Sequence, residues 1–339
     1  MEHQVQTGIP LFSVENVSIS YRTKRGPLQA VKNASFSIGD QEAVALIGES
    51  GCGKTTLASS IVRGLPNPAS VTEGKLLFRR EDGVQSDILT LDPKELRKLL
   101  WEQISMVFQA SQSSFNPVKK IKTQFIDTIN AHRRGVSREE ILERSRELLR
   151  IVMLDADKVL EAYPHEISGG MKQRALIALS LLLEPKLIIL DEPTTALDLL
   201  TQEKILELLN GLKKQFGFSL LFITHDLGIV SELADSVVTM YAGRVVERAP
   251  VQEFFDRPCH PYSKGLINAI PRLTMDSTEL YSIPGSPPDM IDAAPGCPFA
   301  PRCDRCEQRC REEMPPLKSG ETPGHVYACW NPSVGREGR

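Results

Sequence analysis

The feature that most restricts this chain is a glycine loop following a short apolar run. Val44-Ala-Leu-Ile47 leads into Gly48-Glu-Ser-Gly-Cys-Gly53-Lys54-Thr55, a match to G-x-x-x-x-G-K-[ST] in the strand–loop–helix setting that the pattern requires. An apolar run of this length suits a parallel strand buried on both faces. Glycines let successive backbone N–H groups wrap phosphate oxygens, and the helix behind the loop presents the positive end of its dipole. On that chemistry Gly48, Ser50, Gly51, Gly53 and Thr56 form the cradle, Lys54 reaches the β- and γ-phosphates, and Thr55 ligates Mg²⁺. The chain is therefore expected to be α/β.

Two further segments fit the same chemistry. Leu187-Ile-Ile-Leu190-Asp191-Glu192 is an apolar run ending in two carboxylates. Beside a phosphate loop, the first acid orients Mg²⁺ or its water and the second polarises an attacking water. Taken alone, the pair could equally cap a helix after Pro193. Ile167-Ser168-Gly169-Gly170-Met171-Lys172-Gln173-Arg174 sets a serine hydroxyl and glycine amides before a helix expected to open at Ala175, and such a terminus attracts anions.

In this order and spacing, the motifs resemble the nucleotide-binding domain of ABC transporters over residues ~10–250. The resemblance implies that Ser168, Gly169 and Gly170 face the nucleotide held by a second ATPase subunit, so that ATP is sandwiched in a dimer. It implies that Gln109, after Ile104-Ser-Met-Val-Phe108, contacts Mg²⁺ or water and senses the membrane subunits. It also makes Ala196-Leu197-Asp198 the D-loop, His225 the residue on the γ-phosphate, and Tyr21 the ring stacked on adenine. Glu192 is a true carboxylate, so the resemblance implies competent hydrolysis.

Seven cysteines are spread unevenly. Cys52 sits in the phosphate loop beside Lys54, surroundings that lower a thiol pKa. Cys259 stands alone, whereas Cys297, Cys303, Cys306, Cys310 and Cys329 crowd the C-terminal stretch. In a cytosolic chain such crowding points to metal or catalysis. His260-Pro-Tyr262-Ser-Lys264-Gly-Leu266, Ile283-Pro-Gly-Ser-Pro-Pro288 and Gly296-Cys-Pro-Phe-Ala-Pro-Arg-Cys303 resemble the extension of the oligopeptide/dipeptide/nickel branch of ABC importers. Met171 resembles one of the two paralogous ATPases of such systems. The resemblance implies a [4Fe–4S] cluster on Cys297, Cys303, Cys310 and Cys329, with five, six and eighteen residues between successive cysteines; four thiolates suit such a cluster. Structural zinc is the rival, although its four-cysteine sites usually carry closer pairs, and only Cys303-Asp-Arg-Cys306 is one. Metal-free thiols are the third reading.

Formal net charge is −3, and no long run of Lys or Arg supports a nucleic-acid partner. The longest mainly apolar run, Ala175 to Leu183, falls far short of the ~20 residues of a membrane span. Met1-Glu-His-Gln lacks the basic and apolar regions of a secretory signal. The chain reads as soluble and cytosolic, and any membrane role comes through a partner.

Locally, Phe12–Tyr21 and Ala34–Ile38 read as strands around a basic turn at 22–27. Asp92 before Pro93, and Ser137 with Glu140, read as helix starts. Residues ~95–180 read mainly as helix, with strands at Leu187–Leu190, Leu220–Ile223 and Val237–Met240 and a helix at Ile205–Lys214. The expected architecture is a RecA-like P-loop core with an antiparallel β subdomain and a helical subdomain at about 95–180, together spanning 1–253. A proline-punctuated, cysteine-rich extension follows at 254–339. Because no nucleotide motif lies beyond His225, ATP hydrolysis is expected to survive replacement of the tail cysteines.

The family implies a paralogous ATPase subunit, two transmembrane permeases and an extracytoplasmic solute-binding protein as partners, at the cytoplasmic face of the membrane. The cargo then never touches this chain: dipeptide, oligopeptide, nickel chelate and oligosaccharide all remain open. A DNA-repair or chromosome ATPase would need a long heptad insertion between Lys54 and Gly169, and a translation factor would need a second cassette. A regulatory subunit without turnover fits poorly with an intact Glu192 and His225.

Overall fold

A computed structural model describes residues 8–108, 114–195, 197–270, 281–291 and 295–333, so Gln109 and Ala196 of the expected site lie outside the described residues. The chain divides into two compact units, Met1–Leu89 with Thr224–Arg339, and Thr90–Ile223.

In the first unit, alternation and apolar runs separate two kinds of strand. β1 (Phe12–Thr23) and β2 (Gly26–Ile38) form a tight antiparallel pair, Thr23 opposite Gly26. The basic turn expected at 22–27 is thus confined to Lys24-Arg25, because both strands run on into it. The short, wholly buried β3 (Ala43–Ile47) leads through the glycine loop into α1 (Lys54–Ile61). Long β4 (Ala69–Arg79) and short β5 (Gln85–Asp87) complete an antiparallel sheet ordered β2-β1-β4-β5.

The second unit contains α2 (Pro93–Leu99), β6 (Ile104–Val107), α3 (Ile121–His132), α4 (Arg138–Ile151), α5 (Ala156–Glu161), α6 (Gly169–Ser180), β7 (Leu187–Asp191), α7 (Leu199–Phe216) and β8 (Ser219–Ile223). The helix starts are those the caps specify. Asp92 accepts the Lys94 and Glu95 N–H groups, and Ser137 and Glu140 close a reciprocal capping box. Two expectations shift. Ile104–Val107, within the stretch read as helical, is a strand in parallel register with β7. α6 opens at Gly169 rather than Ala175, because Ser168 Oγ accepts the Met171 N–H at 3.3 Å and caps the helix six residues earlier. β7 and β8 are buried at every position, as continuous apolar strands covered on both faces must be.

The chain returns to the first unit with α8 (Leu227–Leu233), β9 (Ser236–Tyr241) and β10 (Arg244–Pro250). β9 lies parallel to β3 and antiparallel to β10. α9 (Val251–Asp256), α10 (Pro261–Asn268), α11 (Gln308–Glu312) and the two-residue strands β11 (Lys318–Ser319) and β12 (Val326–Tyr327) follow. β12 pairs with β10, Glu247 opposite Tyr327, so the extension finishes on the sheet that carries the glycine loop. Tyr241, Val246, Tyr262 and Phe299 form a buried cluster there, with Ile283, Cys297 and Cys303 packed against it.

Candidate functional site

The glycine loop wraps as its composition requires. Gly48 has φ +147°, and a Cβ there would lie 2.2 Å from the Met240 carbonyl oxygen, so no other residue fits without moving β9. The buried Lys54 turns its Nζ back on the loop, donating to the carbonyls of Gly48 at 2.8 Å and Glu49 at 2.9 Å. Ser50 and Thr55 are exposed. Tyr21, on β1, hydrogen-bonds through its hydroxyl to Thr56 Oγ1 at 3.2 Å, which brings the predicted aromatic residue beside the loop. His225 follows β8 and is exposed at the start of the segment leading into α8.

Cys52 departs from expectation. Its side chain is buried, and burial pushes its thiol up, outweighing the lowering effect of Lys54, whose Nζ is 3.6 Å from the sulfur. Proximity to a cation activates a thiol only where the thiolate stays hydrated, and here it does not.

In the second unit Asp191 ends β7 and is buried, and Glu192 follows at φ +50°. A left-handed conformation at a non-glycine residue is uncommon and clusters at functional positions. Glu192 Oε2 accepts from Thr195 Oγ1 at 2.8 Å. Ser168 is exposed at the head of α6, and Gly170 is pressed so close to Thr201 that a Cβ would lie 2.8 Å from its methyl. Asp198 caps α7 through Thr201, beside the exposed Leu199 and Leu200.

Beyond β10, Cys297, Cys303, Cys310 and Cys329 line one small cavity with His260, Phe299 and Trp330. Cys306 is not in that lining; its Sγ lies 3.5 Å from the Glu307 carbonyl. Gly296 permits the closest approach, since a Cβ there would lie 2.3 Å from the Cys310 carbonyl oxygen, which also accepts the Cys297 N–H at 2.7 Å. Burial raises the thiols of Cys297, Cys303 (to about 11) and Cys329 (to about 12).

Two constellations were not legible as motifs. Arg302, between two of these cysteines, forks onto Glu49 of the glycine loop at 2.7 and 2.9 Å. Glu247 on β10 is fully buried and gathers three donors: the N–H groups of Cys259 at 2.7 Å and His260 at 2.9 Å, and His325 Nε2 at 2.7 Å. Burial alone would lower the His325 pKa, but hydrogen bonds to Cys259 and Glu247 raise it to about 10. His260, fully buried and accepting the Tyr262 N–H on Nδ1, is pushed down to about 4 by that burial despite the Glu247 charge. Among the described residues, Glu247, Cys259 and His325 are the one trio of potential metal ligands whose donor atoms all lie within 4.8 Å of one another. The Glu247 oxygens are already engaged, and the trio acts as a hydrogen-bonded clasp of three chain segments.

Comparison with known proteins puts these observations in a class. The ABC transporter family profile matches residues 31–195, and that of the oligopeptide/dipeptide transporter C-terminal region matches residues 246–310. A dimeric ATP-binding cassette, MJ0796, in a post-hydrolysis state bound to ADP and Pi, superposes with a TM-score of 0.62 at 28% identity, covering 71% of this chain and 98% of that one. The fold is that of an ABC ATPase.

Among curated sequences, the dipeptide transport ATP-binding protein DppD of Caldanaerobacter subterraneus is 40% identical over 319 residues, 94% of this chain and 96% of the relative. The oligopeptide transport ATP-binding protein OppD of Salmonella typhimurium is 40% identical over 323 residues, covering 95% and 94%. The chain belongs to the family of ABC transporter ATP-binding subunits, in the oligopeptide/dipeptide branch, and is an ATPase coupled to transport.

Proposed function

We propose that this subunit drives import of dipeptides or oligopeptides, the cargo for which its relatives are named. What carries the reading is that likeness to peptide-transport subunits extends past the nucleotide motifs and through the C-terminal region. Nickel chelates and oligosaccharides are the alternative cargoes.

In this reading MgATP lies on Gly48, Ser50, Gly51, Gly53, Lys54 and Thr56, with Thr55, Asp191 and Gln109 serving Mg²⁺ and Tyr21 the adenine. Glu192 activates the water, His225 meets the γ-phosphate, and Ser168, Gly169 and Gly170 complete the site of a paralogous ATPase partner. No described helix is long and apolar enough to cross a membrane. In the same reading, work on cargo is relayed to two permeases fed by an extracytoplasmic binding protein, with this chain at their cytoplasmic face. The cassette occupies 1–253 with its helical subdomain at about 95–180, and the cysteine-rich extension occupies 254–339.

Cys297, Cys303, Cys310 and Cys329 would hold a [4Fe–4S] cluster, which supplies four metal–thiolate links to an extension poor in core of its own. The donor set supports this. All four thiols line one small cavity, and four thiolates suit such a cluster; structural zinc is the alternative. Cys306 is left over.

The test is the assembled transporter in lipid with its binding protein. Dipeptides or oligopeptides should stimulate ATP hydrolysis several-fold. Stimulation by a nickel chelate or an oligosaccharide, with none by peptides, would overturn the cargo assignment.

A further inference from the structure

We propose that Arg302 and Tyr262, both from beyond β10, are positioning residues for the phosphate loop, acting through Glu49. This rests on the reading of Gly48–Thr55 as the ATP site, and it makes the extension part of that site.

The observations converge on one residue. Arg302 Nη1 and Nη2 donate to the two Glu49 carboxylate oxygens at 2.7 and 2.9 Å. The Glu49 N–H donates to the Tyr262 hydroxyl at 2.7 Å, and its carbonyl accepts from Lys54 Nζ at 2.9 Å. The second residue of the loop is thus fastened at three points, and two of the fasteners belong to the extension. Neither fastener is loose. The Arg302 side chain is only 5% exposed; Nε donates to the Pro284 carbonyl at 2.8 Å, Nη2 to that of Ile283 at 3.3 Å and Nη1 to the Tyr241 hydroxyl at 3.2 Å. Its guanidinium lies 5.8 Å from the Tyr241 ring centroid and 5.9 Å from that of Phe299. The Tyr262 ring is fully buried against Tyr241, 4.6 Å between centroids.

Two physical consequences follow for ATP. A phosphate cradle works through backbone N–H groups aimed in advance, so fixing the Glu49 peptide fixes the aim of the loop. Moreover, an uncompensated carboxylate at the lip of an anion site would repel the polyphosphate, and a forked arginine neutralises it with defined geometry. Lysine would supply the charge without the fork.

The experiment measures MgATP affinity on the full-length chain by fluorescent-nucleotide titration, with thermal unfolding of each variant alongside. ATP KM and kcat are measured in the assembled transporter. Arg302→Gln should raise the MgATP Kd about tenfold, ~1.4 kcal/mol, and raise KM more than it lowers kcat. Arg302→Lys should fall between it and wild type. Adding Glu49→Gln to Arg302→Gln should recover most of the affinity, because the stranded charge is gone. Arg309→Gln on α11, which breaks an exposed ion pair with Glu313, should leave Kd unchanged. If Arg302→Gln lowers stability but not affinity, the residue only braces the fold and the proposal fails. If Arg302→Gln does not fold, Tyr262→Phe decides, since it removes the acceptor of the Glu49 N–H and keeps the ring. A raised Kd at unchanged stability supports the proposal, and an unchanged Kd overturns it. Lys54→Ala separates the two readings: if it too binds MgATP normally, the ATP site itself is misassigned.

Discussion

Eight consecutive residues, Gly48–Thr55, make the phosphate loop, whereas the cysteine-lined cavity is assembled from His260, Cys297, Cys303, Cys310 and Cys329 on separate stretches of the same unit. The loop's backbone path follows from its own glycines, one neighbouring carbonyl and the strand and helix at its ends, with the extension touching it at Glu49. The cavity needs the extension folded back, with β12 on β10 and Glu247 gathering Cys259, His260 and His325. Local geometry sets the path of the first, and distant change reaches it through one residue, Glu49. Long-range closure makes the second dependent on a few buried polar contacts, and burial raises the thiols of Cys297, Cys303 and Cys329 within it.

The comparison breaks most sharply on chemistry. Lys54→Ala should weaken MgATP binding itself, and Glu192→Gln should keep binding but reduce turnover by at least ~10²-fold, the scale of a lost general base. Phosphate release in the assembled transporter, with the partner's site disabled, checks this. Normal turnover by Glu192→Gln would reject its role.

Next is the cavity. Replacing Cys297, Cys303, Cys310 or Cys329 by Ser should remove iron from anaerobically purified protein and open residues ~285–335 to protease, whereas Cys306→Ser should do neither. About four irons per chain are expected in the wild type. Iron-free protein with one zinc, or iron lost through Cys306→Ser alone, would reassign the ligands.

The clasp comes third. His325→Leu leaves buried Glu247 with only backbone donors and should destabilise the extension by about 3 kcal/mol, toward the low end for a broken buried pair. Its pH dependence has a definite sign. The folded pKa of His325 is raised from 6.5 to about 10, so its stabilisation is complete below pH ~6.5 and fades as pH climbs through about 10. Cys259 and Tyr327 lie beside it, and burial raises the Tyr327 hydroxyl further. Buried His260, lowered to about 4, acts oppositely, withdrawing stability as pH falls from 6.5 toward 4. Protease sensitivity of the extension should therefore be least near neutrality, and His325→Leu should abolish only the alkaline rise.

The smallest effect separates two thiols. Buried Cys52 should label with maleimide at least ~10-fold more slowly than Cys306, following its burial and raised pKa; peptide mapping of a time course checks this. Equal rates would mean that the loop opens far more readily than its packing indicates.

The nucleotide motifs were legible because each is a contiguous run whose backbone geometry its own residues dictate. Glycines permit φ > 0, Ser137 with Glu140 marks a helix start, and Leu187–Leu190 can only be a strand covered on both faces. Where the reading slipped, a local preference competed with a cap or a neighbour. Ile104–Val107 is short enough to pass for helix until β7 lies beside it, and the cap at Ser168 starts α6 earlier than the apolar pattern does. The four tail cysteines were singled out by spacing together with family resemblance, and the fold brings them to one cavity while leaving Cys306 aside. What no local pattern could carry is the link from Arg302 to Glu49, more than two hundred residues apart. A charge in sequence is ordinarily a solvated group. Only folding of the extension beside β9 buries this one, and a buried guanidinium must find the carboxylate that the phosphate loop supplies.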